Sequence, residues 1–297
     1  MTSLSTPVPA TGRAPSVARP AALVLGSIAS VQVGAALAKQ LFPTLGSTGT
    51  VAVRLAAAAL VIGAVARPRI RGLTRSHLTL IVSFGLLLAG MNLCFYAALE
   101  RIPLGIAVTV EFAGPLAVAV LGSRRAMDLV WVALAGVGVV LITGGGTALF
   151  DGSLNPAGVG LALLAAAGWA GYILLSQRVG AVLPSLQGLA LALGVAALAI
   201  APLGVATAGT ALLRPDLLAI GAAVGVLSSA VPWAFELIAL RSLSAATFGV
   251  LMSLEPAVAA LAGLALLHES LTPLQVVAIG TTCVASAGAC WGRGRVG

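Results

Sequence analysis

Apolar residues run through this chain in ten stretches of membrane-spanning length, and the polar segments between them are very short. The stretches are Ala21–Ala38, Thr48–Ala66, Leu78–Leu99, Leu104–Gly122 and Leu129–Gly145, then Ala157–Gln177, Ser185–Ala208, Leu217–Leu240, Ala245–Leu267 and Pro273–Trp291. A helix needs about 20 apolar residues to cross a bilayer. With 60% apolar and 8% charged residues and a mean hydropathy of +1.11, a water-soluble globule would have no polar skin to show its solvent. The expected fold is therefore an all-α integral membrane protein of ten transmembrane helices. Local signals support the edges: Asp128 is placed to cap the fifth helix, and Thr272-Pro273-Leu274-Gln275 reads as a capping box with proline in the first turn.

The distribution of cations orients these spans. With the N-terminus inside, the inner segments carry Arg13, Arg19, Arg67, Arg69, Arg71, Arg75, Arg124, Arg125, Arg178, Arg241, Arg293 and Arg295, and the outer loops carry only Lys39, Arg101 and Arg214. Twelve against three is a clear positive-inside bias, which puts both termini in the cytoplasm. It also accounts for the net charge of +8 without nucleic acid, which is not expected as a partner. The run after the polar tail is too long for a signal-peptide core and has no clear small-residue cleavage site after it.

Two segments are versions of one another. FYAALERIPLGIAVTVEFAGPLAVAV (Phe95 to Val120) aligns with FELIALRSLSAATFGVLMSLEPAVAAL (Phe235 to Leu261), pairing Phe95, Arg101 and Pro115 with Phe235, Arg241 and Pro256. Five spans precede the polar hairpin from Thr147 to Pro156 and five follow it. An odd number inverts the second half, so the Arg101 turn falls outside and the Arg241 turn inside. The predicted organisation is a 5+5 inverted-topology repeat: a cytoplasmic polar tail (1–19), two five-helix repeats (20–146 and 157–291) and a short basic cytoplasmic tail (292–297). Such repeats are characteristic of transporters that rock one half against the other around a site near mid-membrane.

Ionisable groups inside a membrane are costly, by about 2.5–3.5 kcal/mol on insertion scales, and call for a function. Arg54 and Glu111 come at similar depth, about 10 Å below the outer surface at 1.5 Å per residue. They are either a site pair or a fixed bridge between helices. Glu255 directly precedes Pro256, which frees the Met252 carbonyl and bends the helix. It is a candidate for an ammonium or proton site, or else a protonated carboxyl bonded to a neighbouring helix. Glu236, a turn from the inner end of its span, could instead snorkel or pair with Arg241. Gln32 and Lys39 are seven apart, Asn92 and Tyr96 four apart, and Trp169 and Tyr172 three apart, so each pair shares a helix face. Cavity lining and helix–helix hydrogen bonding are both open to them. Small residues Ala135, Gly136 and Gly138 on the fifth span, and Ala285, Ala287 and Gly288 on the tenth, mark those helices for close packing or a homodimer contact.

No catalytic constellation is present. There is no zinc-protease motif, His77 and His268 lie at span ends, and the Asp residues lie in loops or caps, which disfavours an intramembrane enzyme. No phosphate-binding loop supports direct nucleotide drive. Cys94, Cys283 and Cys290 have neither paired spacing nor histidine neighbours, so no metal and no cofactor are expected.

Several strings resemble the EamA-type branch of the drug/metabolite transporter superfamily, and within it the subgroup that exports threonine and homoserine from bacteria. They are Ala38-Lys39-Gln40-Leu41-Phe42-Pro43, Gly90-Met91-Asn92, PLGIAVTVEFAGPLAVAV with Ser123-Arg124-Arg125, Trp169 to Leu174, TFGVLMSLEPAVAAL and ESLTPLQ. The resemblance implies a multi-pass carrier of the bacterial cytoplasmic membrane that exports small neutral amino acids, driven by the proton gradient through a central cavity. An exporter of another metabolite or a toxic amine is the alternative. The expected partners are thus an amino-acid substrate, protons and the lipid bilayer. Trp233 stands where tyrosine is typical of the subgroup, and His268 where glycine is usual. A zwitterion needs an acceptor for its ammonium and a donor for its carboxylate. Glu111 or Glu255 could supply the first, and Arg54 or Lys39 the second. Glu111 and Glu255 are also the proton-coupling candidates.

Overall fold

The computed structural model describes residues 18–121, 126–142, 154–183, 185–240, 242–243 and 245–294. Among them there are only helices, turns and short links. The first half contains α1 (Ala18–Gln40), α2 (Phe42–Ala66), α3 (Arg75–Leu99), α4 (Leu104–Glu111), α5 (Ala113–Leu121) and α6 (Ala126–Ile142). The second contains α7 (Pro156–Val182), α8 (Ser185–Ala208), α9 (Pro215–Gly225), α10 (Val231–Leu240), α11 (Ala245–Met252), α12 (Glu255–Leu267) and α13 (Pro273–Gly294). A 3₁₀ turn (Gly209–Leu213) follows α8, and a π-helical turn (Val226–Ala230) joins α9 to α10.

Seven stretches among the described residues are long and apolar enough to cross a membrane, and they match expected spans one, two, three, six, seven, eight and nine. The fourth and tenth expected spans contain shorter apolar stretches, Leu104–Val118 and Pro273–Gly288. Most of the hairpin expected from Thr147 to Pro156 lies outside the described residues, as do Arg241 and Ser123-Arg124-Arg125. Asn155 caps α7 by accepting from the Gly158 N–H at 3.1 Å.

Three local expectations need correction. The segment from Lys39 to Ser47 is helical rather than a loop: α1 and α2 are separated by Leu41 alone. Pro43 fits because the first turn of a helix has no N–H to lose, and the chain turns at Gly46, whose φ of +67° only glycine adopts freely. Asp128 falls inside α6 rather than before it, and its side chain is outside the described set. The fourth span is not one continuous helix but breaks at Phe112. The Thr272–Gln275 box forms as expected: Thr272 N donates to Gln275 Oε1 at 2.9 Å, and Gln275 N to Thr272 Oγ1 at 3.3 Å.

The breaks in the fourth and ninth spans have one cause. Pro115 deprives the Glu111 carbonyl of its partner, and Pro256 deprives that of Met252. Each helix ends at that residue, α4 at Glu111 and α11 at Met252, and restarts within three residues. The helices cross the two halves extensively: α2 on α8, α3 on α7 and α8, α1 on α10 and α12, α9 on α2, α5 on α7, α6 on α13 and α4 on α12. At the α4–α12 crossing a β-carbon on Gly105 would stand 2.7 Å from Ala260 Cα, so nothing larger than glycine fits there.

His268 ends α12 in the left-handed region, with φ +55°. That conformation costs a residue with a β-carbon about 1–2 kcal/mol, and glycine's greater freedom in the unfolded chain offsets about 0.5–1 kcal/mol of the gain from replacing it. His268→Gly is expected to stabilise the protein by up to about 1.5 kcal/mol, read as a higher thermal midpoint in detergent. A lower midpoint would mean that the imidazole holds a contact worth more than the strain.

Candidate functional site

The broken helices and the long ones around them enclose a cavity of about 270 Å³. This is the scale of a small metabolite, since drug-sized ligands occupy pockets of about 300–1,000 Å³. Nine of the eleven expected binding residues line it: Gln32 from α1, Arg54 from α2, Asn92 and Tyr96 from α3, Glu111 from α4, Trp169 and Tyr172 from α7, Glu236 from α10 and Glu255 from α12. The four-residue and three-residue spacings on α3 and α7 thus put both members of each pair on one wall. The side chain of Trp233 lies outside the described set.

Lys39 is elsewhere. It lies about two turns, roughly 10 Å, further along α1 than Gln32, at the end marked by the Arg101 turn. Its Nζ pairs with Glu269 Oε1 at 2.6 Å and donates to the Ile102 carbonyl at 3.3 Å. Glu269 Oε2 accepts the Leu104 N–H at 2.7 Å, which caps α4. Nearby, Ser47 donates to Glu100 through its N–H at 3.3 Å and its hydroxyl at 3.0 Å. The seven-residue spacing that puts Lys39 on the Gln32 face also carries it about 10 Å along the helix, so a shared face is not a shared site.

The Arg54 guanidinium donates from Nη1 to Asn92 Oδ1, and its Cζ stands 5.4 Å from the centre of the Tyr96 ring. Asn92 is itself held by donating to the Leu88 carbonyl at 2.8 Å. Among the described residues no ion pair joins Arg54 to Glu111, so a direct bridge between them is not what ties α2 to α4. The charges of Glu255 and Arg54 both reach the Glu111 carboxyl. Glu236 accepts the Ser27 hydroxyl at 2.6 Å, and Glu255 Oε1 accepts Gln32 Nε2 at 3.1 Å. Trp169 is set edge-on to Phe112 at 5.6 Å, and Tyr172 stacks on Phe84 at 5.4 Å, so both polar-tipped rings are braced by aromatic neighbours.

The helix breaks explain how carboxylates reach the wall. Glu111 is the last residue of α4, four before its proline, and its counterpart in the second half is Met252, also on the cavity. Glu255 is the first residue of α12, and its counterpart is Gly114. The two acids thus stand on opposite sides of equivalent breaks. A second space of about 170 Å³ shares Arg54, Met91, Asn92, Tyr172 and Ser228 with the first, and continues past Ile62, Leu88, Leu189 and Leu193 away from the Arg101 turn. Sequence reasoning did not single out Ser27, Ser228 or Glu269 as functional. No spacing marked Ser27, which stands five residues from Gln32 and so about 140° around the helix. Glu269 was noted only as part of a family string.

Known proteins agree with this architecture. Residues 156–290 match the EamA-like transporter family. The threonine/homoserine exporter RhtA of Escherichia coli K12 is 45% identical over 273 residues, 91% of this chain and 90% of its own. RhtA of Salmonella typhimurium LT2 is 44% identical over the same shares. One crystal structure of a protein only 17% identical superposes with a TM-score of 0.55, over 90% of this chain and 97% of its own, which is a likeness of fold alone. The two RhtA relatives are exporters rather than enzymes, and the apolar helices make this a multi-pass membrane protein. The chain belongs to the EamA-like transporter family.

Proposed function

We propose that the protein is a proton-driven secondary exporter of small neutral amino acids of the threonine and homoserine kind, in the bacterial inner membrane. The observation that carries this reading is the cavity wall itself: Glu111, Glu236 and Glu255 stand around a space of metabolite size together with Arg54. A zwitterion finds both of its counter-charges there. The kinship with threonine/homoserine exporters points to the same substrate class.

The ten spans form two inverted five-helix repeats with both termini in the cytoplasm. The contacts support this pairing. Exchanging first-half helices for their second-half counterparts turns α3–α7 into α10–α1, α3–α8 into α9–α2 and α5–α7 into α12–α1, and all of these pairs pack. The exchange does not hold everywhere. α4 packs on α12, but among the described residues α5 and α11, their counterparts, make no comparable contact, and α11 leans on α13 instead. One end is thus closed, with the Lys39–Glu269 pair across it, and the other is parted. By the charge-derived topology the closed end is outside, which is the state that loads substrate from the cytoplasm.

The excess of carboxylates over cations in the wall gives a second reading some support, export of an amine without a carboxylate. Efflux from loaded vesicles decides between them. Threonine or homoserine flux that rises with an inward proton gradient and is blocked by excess threonine is the expected result. Amine efflux indifferent to threonine would favour the second reading instead.

A further inference from the structure

Four buried side-chain nitrogen and oxygen atoms have no hydrogen-bond partner among the described residues: Gln32 Oε1, Glu255 Oε2, Arg54 Nε and His77 Nδ1. Three of the four belong to the cavity wall. Buried polar groups are ordinarily satisfied, and unmet ones call for an explanation at the site where they collect. Here they are sorted by chemistry. Gln32 and Glu255, 1% and 7% exposed, are already joined through Nε2 and Oε1, so each keeps a bare acceptor on a group fixed by the other. Arg54 keeps a bare donor on a guanidinium fixed by Asn92 and Tyr96. No atom of Glu111 is in the unmet set.

We propose that the Gln32–Glu255 pair seats the substrate's ammonium, that Arg54 takes its carboxylate, and that Glu255 carries the driving proton when the ammonium is absent. The inference rests on the exporter reading above and names the site of its coupling. In the empty seat, a proton on Glu255 Oε2 donates to Gln32 Oε1 and closes the amide–acid pair from both sides. When substrate enters, that O–H bond breaks and the proton passes to cavity water and on to the cytoplasm. The ammonium then donates to Glu255 Oε2 and Gln32 Oε1 in its place. On the outer side the ammonium leaves and a proton from outside rebinds Oε2. The seat holds a proton or an ammonium but not both, so exchange is one for one. Among the described residues, Glu236 on α10, Glu111 on α4, Arg54 on α2, Tyr96 on α3, Tyr172 on α7 and Cys283 on α13, beside Ala257, are the other titratable or charged groups around Glu255. The two further carboxyls favour a cation at the seat.

Calorimetry on the purified full-length protein, in buffers of different ionisation enthalpy, counts protons released on binding. The ligands are threonine, homoserine, 1-amino-2-propanol (threonine without its carboxylate) and 3-hydroxybutyrate (threonine without its ammonium). Threonine and aminopropanol are expected to release a proton, and hydroxybutyrate none. Arg54→Gln should weaken threonine about tenfold or more, the worth of a hydrogen bond to a charged group, and leave aminopropanol unchanged. Gln32→Met and Glu255→Gln should weaken threonine and aminopropanol, and Glu255→Gln should end proton release. Unchanged hydroxybutyrate binding shows that these two variants are folded. Threonine binding by the unaltered protein without proton release, or equal losses for both analogues in every variant, would overturn the assignment while leaving an exporter. Binding of neither threonine nor homoserine to the unaltered protein would overturn the exporter reading, and this one with it.

Discussion

Export by the Glu255→Gln protein is expected to stop responding to the proton gradient. The amide cannot ionise, and it presents N–H donors where the ammonium brings its own. Buried charge-assisted hydrogen bonds are worth about 1.5–3 kcal/mol, so gradient-driven threonine flux should fall by about ten- to a hundredfold. The remaining flux should be the same with and without an acid exterior. Glu111→Gln is the informative companion. Glu111 stands across the equivalent break and makes no bond to the Gln32 pair, so that variant should lose affinity but keep its response to the gradient. In the proposed exchange a neutral zwitterion leaves as one proton enters, so a membrane potential negative inside should also speed export in the unaltered protein, with about 2.3 kcal/mol per 100 mV available per charge. A Glu255→Gln protein whose flux still rises with external acid would remove Glu255 from the coupling role.

The parts of this architecture that depend on period and charge were legible in the chain. Long apolar runs set the seven spanning helices, and the expense of burying a charge singled out Arg54, Glu111, Glu236 and Glu255, all of which line one cavity. Helix-face spacing placed Asn92 with Tyr96 and Trp169 with Tyr172. A shared face was not enough for Lys39, which the same spacing sets about 10 Å from Gln32 along the helix, and spacing could not place the partner a charge takes. Arg54 faces Asn92 and Tyr96 rather than bridging to Glu111, because its partners come from α3, and no local pattern encodes that approach. Prolines foretold a bend near Glu255, but not that both halves would break outright, at Phe112 and at Ser253–Leu254. A break needs the neighbouring helices to accept the turn, and that is a property of packing. Glu269 was passed over because a carboxylate in a short loop is ordinarily solvated. Only the fold brings it against Lys39 and the first N–H of α4.

If the end tied by Glu269 faces outside, as proposed, its opening is the step these contacts hold back, and loosening them should expose the cavity to the outside. Glu269 binds α1 through Lys39 and α4 through Leu104 N, so a loop of the second half is tied to two helices of the first. The pair is partly screened, with side chains 23% and 13% exposed. Its loss should therefore be worth less than the about 3–5 kcal/mol of a fully buried pair, and more than the about 0–1 kcal/mol of a surface one. A value between them, about 1.5 kcal/mol, shifts the inward–outward balance about tenfold. The readout is a cysteine placed on the cavity wall by Ser228→Cys, with the native cysteines replaced by serine, labelled by an impermeant maleimide added outside. Lys39→Met should raise the labelling rate about tenfold. Gly105→Val should raise it further, because α4 and α12 cannot meet around a side chain where a β-carbon already stands 2.7 Å from Ala260 Cα. The closed state would then lose its tightest contact, while the state in which α5 meets α11 is untouched. If both variants label at the unaltered rate, the Lys39–Glu269 cluster only fastens helix ends, and the closed outer end is held by the apolar packing of α4, α7 and α12.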